Sequence, residues 1–231
     1  MELIRDGITE AFQLLISLDP EVLEITWLSL KLSGIATVLS LLIGLPLGTL
    51  LALYQFRSRR LWMSLANTGM ALPPVVVGLV VSIMLWRSGP LGGLNLIYSP
   101  GAIIIAQLII AIPITIALTV AALQQLDPQL QYQLRGLGAS QWQMVWRLWL
   151  EARLPLLAAL MAAFGAVISE VGAVLMVGGN LRGHTRVLTS AIVLETGRGE
   201  FSLALALGII LLLLAFLVNL TFTWVQQRAK R

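Results

Sequence analysis

Five stretches free of Asp, Glu, Lys and Arg, residues 32–56, 61–86, 88–126, 154–169 and 201–227, constrain this chain more than any other feature. A helix needs about 20 apolar residues to cross a bilayer, and in lipid the backbone must satisfy its own hydrogen bonds. The stretches therefore predict an all-α integral membrane protein with five crossings, near 25–54, 62–86, 102–124, 155–178 and 203–225. The third stretch is longer than one helix, but Ser88, Gly89, Pro90, Gly92, Gly93, Asn95, Ser99, Pro100 and Gly101 fill its start with chain breakers and make it a loop. Composition agrees: 11% of residues are charged, where soluble chains carry about 25%, and mean hydropathy is +0.91.

The basic residues orient the helices, because Lys- and Arg-rich loops stay in the cytoplasm. Arg57, Arg59 and Arg60 follow the first span, Arg135, Arg147 and Arg153 follow the third, and Arg228, Lys230 and Arg231 end the chain. Alternation puts these nine of fifteen basic residues on one side, read as cytoplasmic, with residues 228–231 as a short cytoplasmic tail. The N-terminal segment 1–24, with six acidic residues against Arg5, is read as extracytoplasmic, and its stretch Ile8 to Leu18 as an interfacial helix. The net charge of +4 is too small and too scattered to track nucleic acid.

Several chemistries are excluded by inspection. The two lysines follow Leu30 and Ala229, so no phosphate-binding loop ends in Gly-Lys. One histidine, His184, and no cysteine leave no imidazole or thiolate metal set, and no GxSxG nucleophile elbow is present. Prolines 46, 73, 74 and 113 fall inside spans and predict kinks. Gly34, Gly44, Gly48, Gly165 and Gly172 allow close helix approach.

The loop 126–153 carries the clearest local signals. Asp127-Pro128 starts a helix, which Gly136 and Gly138 end. Ser140 and Gln143 have capping-box spacing and start a second helix. On it Trp142, Val145, Trp146 and Trp149 share a face, predicted to pack on the membrane domain while the first turn meets a cytoplasmic partner. A helix lying at the membrane interface, where Trp is favoured, is the alternative.

The run Leu134-Arg-Gly-Leu-Gly-Ala-Ser-Gln-Trp-Gln-Met-Val-Trp-Arg resembles the EAA loop of ATP-binding-cassette importer permeases, with Tyr132, Gln133 and Leu134 where the family has Glu-Ala-Ala. The run from Ile168-Ser-Glu-Val-Gly-Ala through Asn180-Leu-Arg-Gly-His-Thr-Arg to Ala191-Ile-Val-Leu-Glu-Thr resembles the permeases of tungstate importers, and its Ser-Glu-x-Gly-Ala core is shared with molybdate permeases. The resemblance implies a type I permease fold, a homodimeric pore, an ATPase subunit dimer that binds ATP and Mg, and an extracytoplasmic oxyanion-binding protein; this chain itself would bind no cofactor. It further implies ATPase contact through Arg135, Gly138, Ala139, Ser140, Gln141 and Trp142.

Glu170 is the one carboxylate deep inside a predicted span. Such a group faces protein or water and finds a partner, and because it repels a dianion it is read as bracing a gate, with Gly172 giving close contact. Asn180, Arg182, His184, Thr185 and Arg186 form an outer loop suited to receiving an anion or docking the binding protein. Molybdate or sulfate as cargo, and an ATP-independent anion carrier, are the alternatives carried forward.

Overall fold

A computed structural model describes residues 2–17 and 19–228; Leu18 and, in the expected cytoplasmic tail, Lys230 and Arg231 lie outside the described residues. The described chain is helical without strands. Its helices are α1 Glu2–Ile16, α2 Pro20–Leu53, α3 Arg59–Met70, α4 Pro74–Leu85, α5 Pro100–Gln124, α6 Pro128–Gly136, α7 Gln141–Glu151, α8 Arg153–Ile168, α9 Gly172–Gly178, α10 Leu188–Arg198 and α11 Phe201–Arg228.

Three helices, α2, α5 and α11, are each long and apolar enough to cross a membrane unaided. Two bent pairs, α3 with α4 and α7 with α8, bring the number of candidate crossings to five. Asp19 starts α2 by accepting the Glu21 and Val22 N–H groups at 3.0 Å, with Pro20 in the first helical position. Ser99 and Pro100 start α5 in the same way. Large apolar side chains such as Leu42, Leu212 and Phe216 are exposed on the outside, as a lipid solvent requires.

Two expected spans are not continuous helices. The stretch 62–86 is α3 and α4, bent by 102°. Pro73 takes an extended conformation and Pro74 opens α4, so the double proline removes two amide donors and breaks the helix rather than kinking it. The stretch 155–178 is α8 and α9, separated at Ser169, Glu170 and Val171. With 16 residues, α8 is about 24 Å long, short of a bilayer core of about 30 Å. Pro46 and Pro113, by contrast, lie within continuous helices.

The centre of the bundle is α5, packed on α2, α3, α4, α8 and α9. Polar side chains fix these contacts. Gln107 on α5 donates through Nε2 to Ser33 Oγ of α2 (3.3 Å) and to the Val167 carbonyl of α8 (3.0 Å), joining three helices in one place. Thr115 Oγ1 approaches the Ser40 carbonyl of α2 at 3.1 Å. Of the small residues singled out in the sequence, Gly44, Gly48 and Gly172 sit at close contacts, whereas Gly34 and Gly165 face open space. Helix α1 packs along α11, with Gly7 against Leu205.

Candidate functional site

The loop 126–153 folds as two short helices meeting at a capped elbow. Asp127 accepts the Gln129 N–H at 2.8 Å and starts α6. At its other end the Gly138 N–H reaches the Arg135 carbonyl and the Ala139 N–H reaches the Leu134 carbonyl, both at 3.0 Å. Those two bonds form a Schellman motif, whose left-handed position needs glycine, and Gly138 supplies it at φ +79°. Two residues on, the capping box is complete: Gln143 Oε1 accepts the Ser140 N–H (2.8 Å) and Ser140 Oγ accepts the Gln143 N–H (3.4 Å). The direction of the chain between α6 and α7 is thus fixed by local bonds, and Leu130 and Leu134 of α6 pack on the cluster that holds Met144 and Leu148 of α7.

The aromatic face of α7 does not pack as the spacing suggested. Met144 and Leu148 are the fully buried residues, set against Ala122, Leu123 and Ala152. Trp149 is half-buried and donates through Nε1 to Thr49 Oγ1 of α2 at 2.8 Å. Trp142 and Trp146 point outward, and Trp142 (83% exposed) and Leu137 (85%) project from the elbow. Arg135, Gly138, Ser140 and Gln141 are exposed around them, and Ala139 is half-buried. Bulky apolar groups held out in this way on a fixed turn are the kind of surface that a protein partner or a membrane covers.

At the α8–α9 break Glu170 is 7% exposed. Its Oε1 accepts the Ala173 N–H at 2.9 Å, and its own carbonyl accepts from Thr189 Oγ1 of α10 at 2.9 Å. The carboxylate therefore caps α9, satisfying one of the amides that a helix start leaves orphaned, and no ion pair involves it among the described residues. Here α9 lies against α4 with almost no gap: a Cβ on Gly78 would come within 2.6 Å of Ala173 Cα, and one on Gly172 within 2.7 Å of Val75 Cγ2. The two broken spans thus touch at their second halves, with Glu170 and Gly172 together at the joint.

The outer loop is not a set of free donors. Asn180, in the left-handed region at φ 53°, accepts from Ser190 Oγ at 2.9 Å and donates to the Ser190 carbonyl at 3.3 Å. Thr185 is buried, with Oγ1 donating to the Gly178 carbonyl. Arg182 and Arg186 both pair with Glu21 at the start of α2, the latter at 3.2 Å. Only His184 points away without a side-chain role, on an exposed turn. The expected loop also contains a helix, α10, signalled in the sequence by Arg198-Gly199 at its end. Glu21, Thr189 and Ser190 are the side-chain partners of the candidate residues that sequence reasoning missed.

Removing Glu21 is expected to cost more than removing either arginine's freedom to pair. Arg182 is largely exposed, whereas the Arg186 side chain is 14% exposed and would be left with an unpaired buried charge. Arg182→Ala should change stability by less than about 1 kcal/mol, and Glu21→Ala by more, measured as melting temperature in detergent. Equal effects would show that Arg186 does not depend on Glu21.

Residues 44–231 match the family described as the inner membrane component of binding-protein-dependent transport systems. The chain belongs to this family. It is 37% identical to a tungstate uptake system permease of Peptoclostridium acidaminophilum, over 98% of this chain and 100% of that one. It is 30% identical to a molybdenum transport system permease of Escherichia coli K12, over 90% and 95% of the two chains. Its fold is that of a chain in the inward-facing MetNI methionine ABC transporter, with a TM-score of 0.75 at 18% identity, covering 91% of this chain and 97% of that one. The protein is accordingly a multi-pass membrane subunit of an ABC importer, with the type I permease fold, and is a transport component and not an enzyme.

Proposed function

We propose that this permease works as a homodimer that passes an oxyanion, tungstate in the first place, from an extracytoplasmic binding protein into the cytoplasm by alternating access, driven by ATP and Mg bound on a separate ATPase dimer. The observation that carries the reading is the elbow at Leu137–Trp142, which presents large apolar groups on a turn fixed by its own hydrogen bonds. Such an element can transmit a push without deforming. Arg135, Gly138, Ala139, Ser140, Gln141 and Trp142 would form the ATPase contact. Glu170 and Gly172 would brace the gate at the α4–α9 joint, and Asn180, Arg182, His184 and Arg186 would belong to the outer vestibule. The N-terminus would then lie outside and the C-terminus in the cytoplasm.

Cargo identity rests on the tungstate permease relative; molybdate and sulfate are the alternatives, being dianions of the same class. Proteoliposomes holding the permease with its ATPase, supplied with the binding protein, should accumulate tungstate only with ATP, and excess sulfate should compete weakly. Uptake without ATP or without the binding protein would favour an ATP-independent carrier instead.

A further inference from the structure

We infer that the groove between α2, α3 and α5 is a binding site for one anionic phospholipid, its acyl chain in the groove and its headgroup phosphate on Arg57 and Arg60. The groove encloses about 470 Å³ and is lined only by apolar side chains, among them Leu47, Leu50, Phe56, Trp62, Leu65 and Ile116. Phe56 and Trp62 bracket the sequence Arg57-Ser-Arg-Arg, so the cationic segment stands at the mouth of the apolar slot.

The charge of this mouth is unbalanced. Between Glu24 and Asp127 the chain has no acidic residue, and among the described residues no ion pair involves Arg57, Arg59 or Arg60. Arg59 is committed elsewhere: its Nε donates to the Leu51 carbonyl at 2.7 Å, closing the end of α2 and fixing one wall of the groove. Arg57 and Arg60 remain exposed. A mouth of this kind on an apolar slot open to the outside of the bundle matches a lipid that carries both an acyl chain and a negative headgroup.

A second copy fits the same slot poorly. A two-fold contact centred on this mouth would bring the two sets of arginines together, and between Glu24 and Asp127 the chain has no carboxylate to stand between them. The groove adjoins the one between α2 and α7, since Leu50 lines both and Trp142 lines the latter. The lipid would therefore sit beside the elbow.

The test is native mass spectrometry of the delipidated permease complex, titrated with phosphatidylglycerol and with phosphatidylcholine of identical chains. The wild type should retain phosphatidylglycerol about 10- to 30-fold more strongly, as two arginines near an anionic headgroup imply. Arg57→Gln with Arg60→Gln should bring phosphatidylglycerol down to the phosphatidylcholine level. Leu65→Trp, which fills the groove from a half-exposed position, should weaken both lipids; Leu47→Trp replaces it if that variant does not fold. Equal retention of the two lipids by the wild type, or an unchanged preference in the double arginine variant, overturns the site. So does a disulfide between copies from Leu65→Cys, the only thiol in an otherwise cysteine-free chain, because it gives the groove to a second copy. None of these outcomes depends on the cargo.

Discussion

A Gly138→Arg permease should insert and fold, yet support no uptake and bring down no ATPase. Gly138 is at φ +79°, and beyond its two chain neighbours no atom of the described residues lies within 4 Å of where a Cβ would stand. The cost inside the chain is then only that of a left-handed non-glycine residue, about 1–2 kcal/mol, which frays one turn without reaching the membrane helices. The cost at the proposed interface is larger, because a long cation would project between Leu137 and Trp142 where the ATPase is expected to close. Loss of an interface hot spot of about 2–4 kcal/mol corresponds to roughly 30- to 700-fold weaker association.

Co-purification with the ATPase and ATP-dependent uptake are the readouts, with membrane yield as the control. Gly138→Asn separates the two costs, since Asn tolerates the left-handed region and adds little bulk. It should keep most of the activity. Normal transport in Gly138→Arg would remove the elbow from the coupling path altogether.

What the sequence revealed and what it concealed divide along the range of the interactions. The caps of α6 and α7 were legible because Asp127-Pro128 and Ser140…Gln143 act within one helical turn, and the bonds they predict are present. The buried face of α7 was not. Both Met144/Leu148 and the tryptophan stripe are apolar at helical spacing, and only the tertiary surface under Ala122 and Leu123 chooses between them. The break at Pro73-Pro74 was visible as a disturbance, since two missing amides leave a mark in any window. The break at 169–171 has no such mark: Ser169, Glu170 and Gly172 are tolerated in a helix one at a time, and it is the carboxylate turning onto the Ala173 N–H that starts a new one. Farther still, Glu21 and Arg186 are 165 residues apart. No local pattern could pair them, and so two arginines read as receiving an anion or docking the binding protein are found holding α2 to the outer loop.

Glu170→Gln should keep transport and Glu170→Leu should remove it, because the structure uses the Oε1 atom and not the charge. Gln retains an oxygen that can accept the Ala173 N–H, and it spares the few kcal/mol of placing a carboxylate at bilayer depth. Its melting temperature should match or exceed that of the wild type. Leu leaves the same amide buried without a partner, at a cost of about 1–3 kcal/mol. The damage would fall on the start of α9, where Gly78 and Ala173 allow no slack between α9 and α4, so a frayed α9 would loosen the joint of both broken spans. Thr189→Val provides the graded case: it deletes the hydroxyl that reaches the Glu170 carbonyl but leaves the cap, and should cost about 1 kcal/mol. Uptake and melting in detergent measure all three. If the carboxylate instead meets the cargo's countercharge or carries a proton, Glu170→Gln will fail as completely as Glu170→Leu while melting normally. That separation of transport from stability would move Glu170 out of the brace and into the pathway.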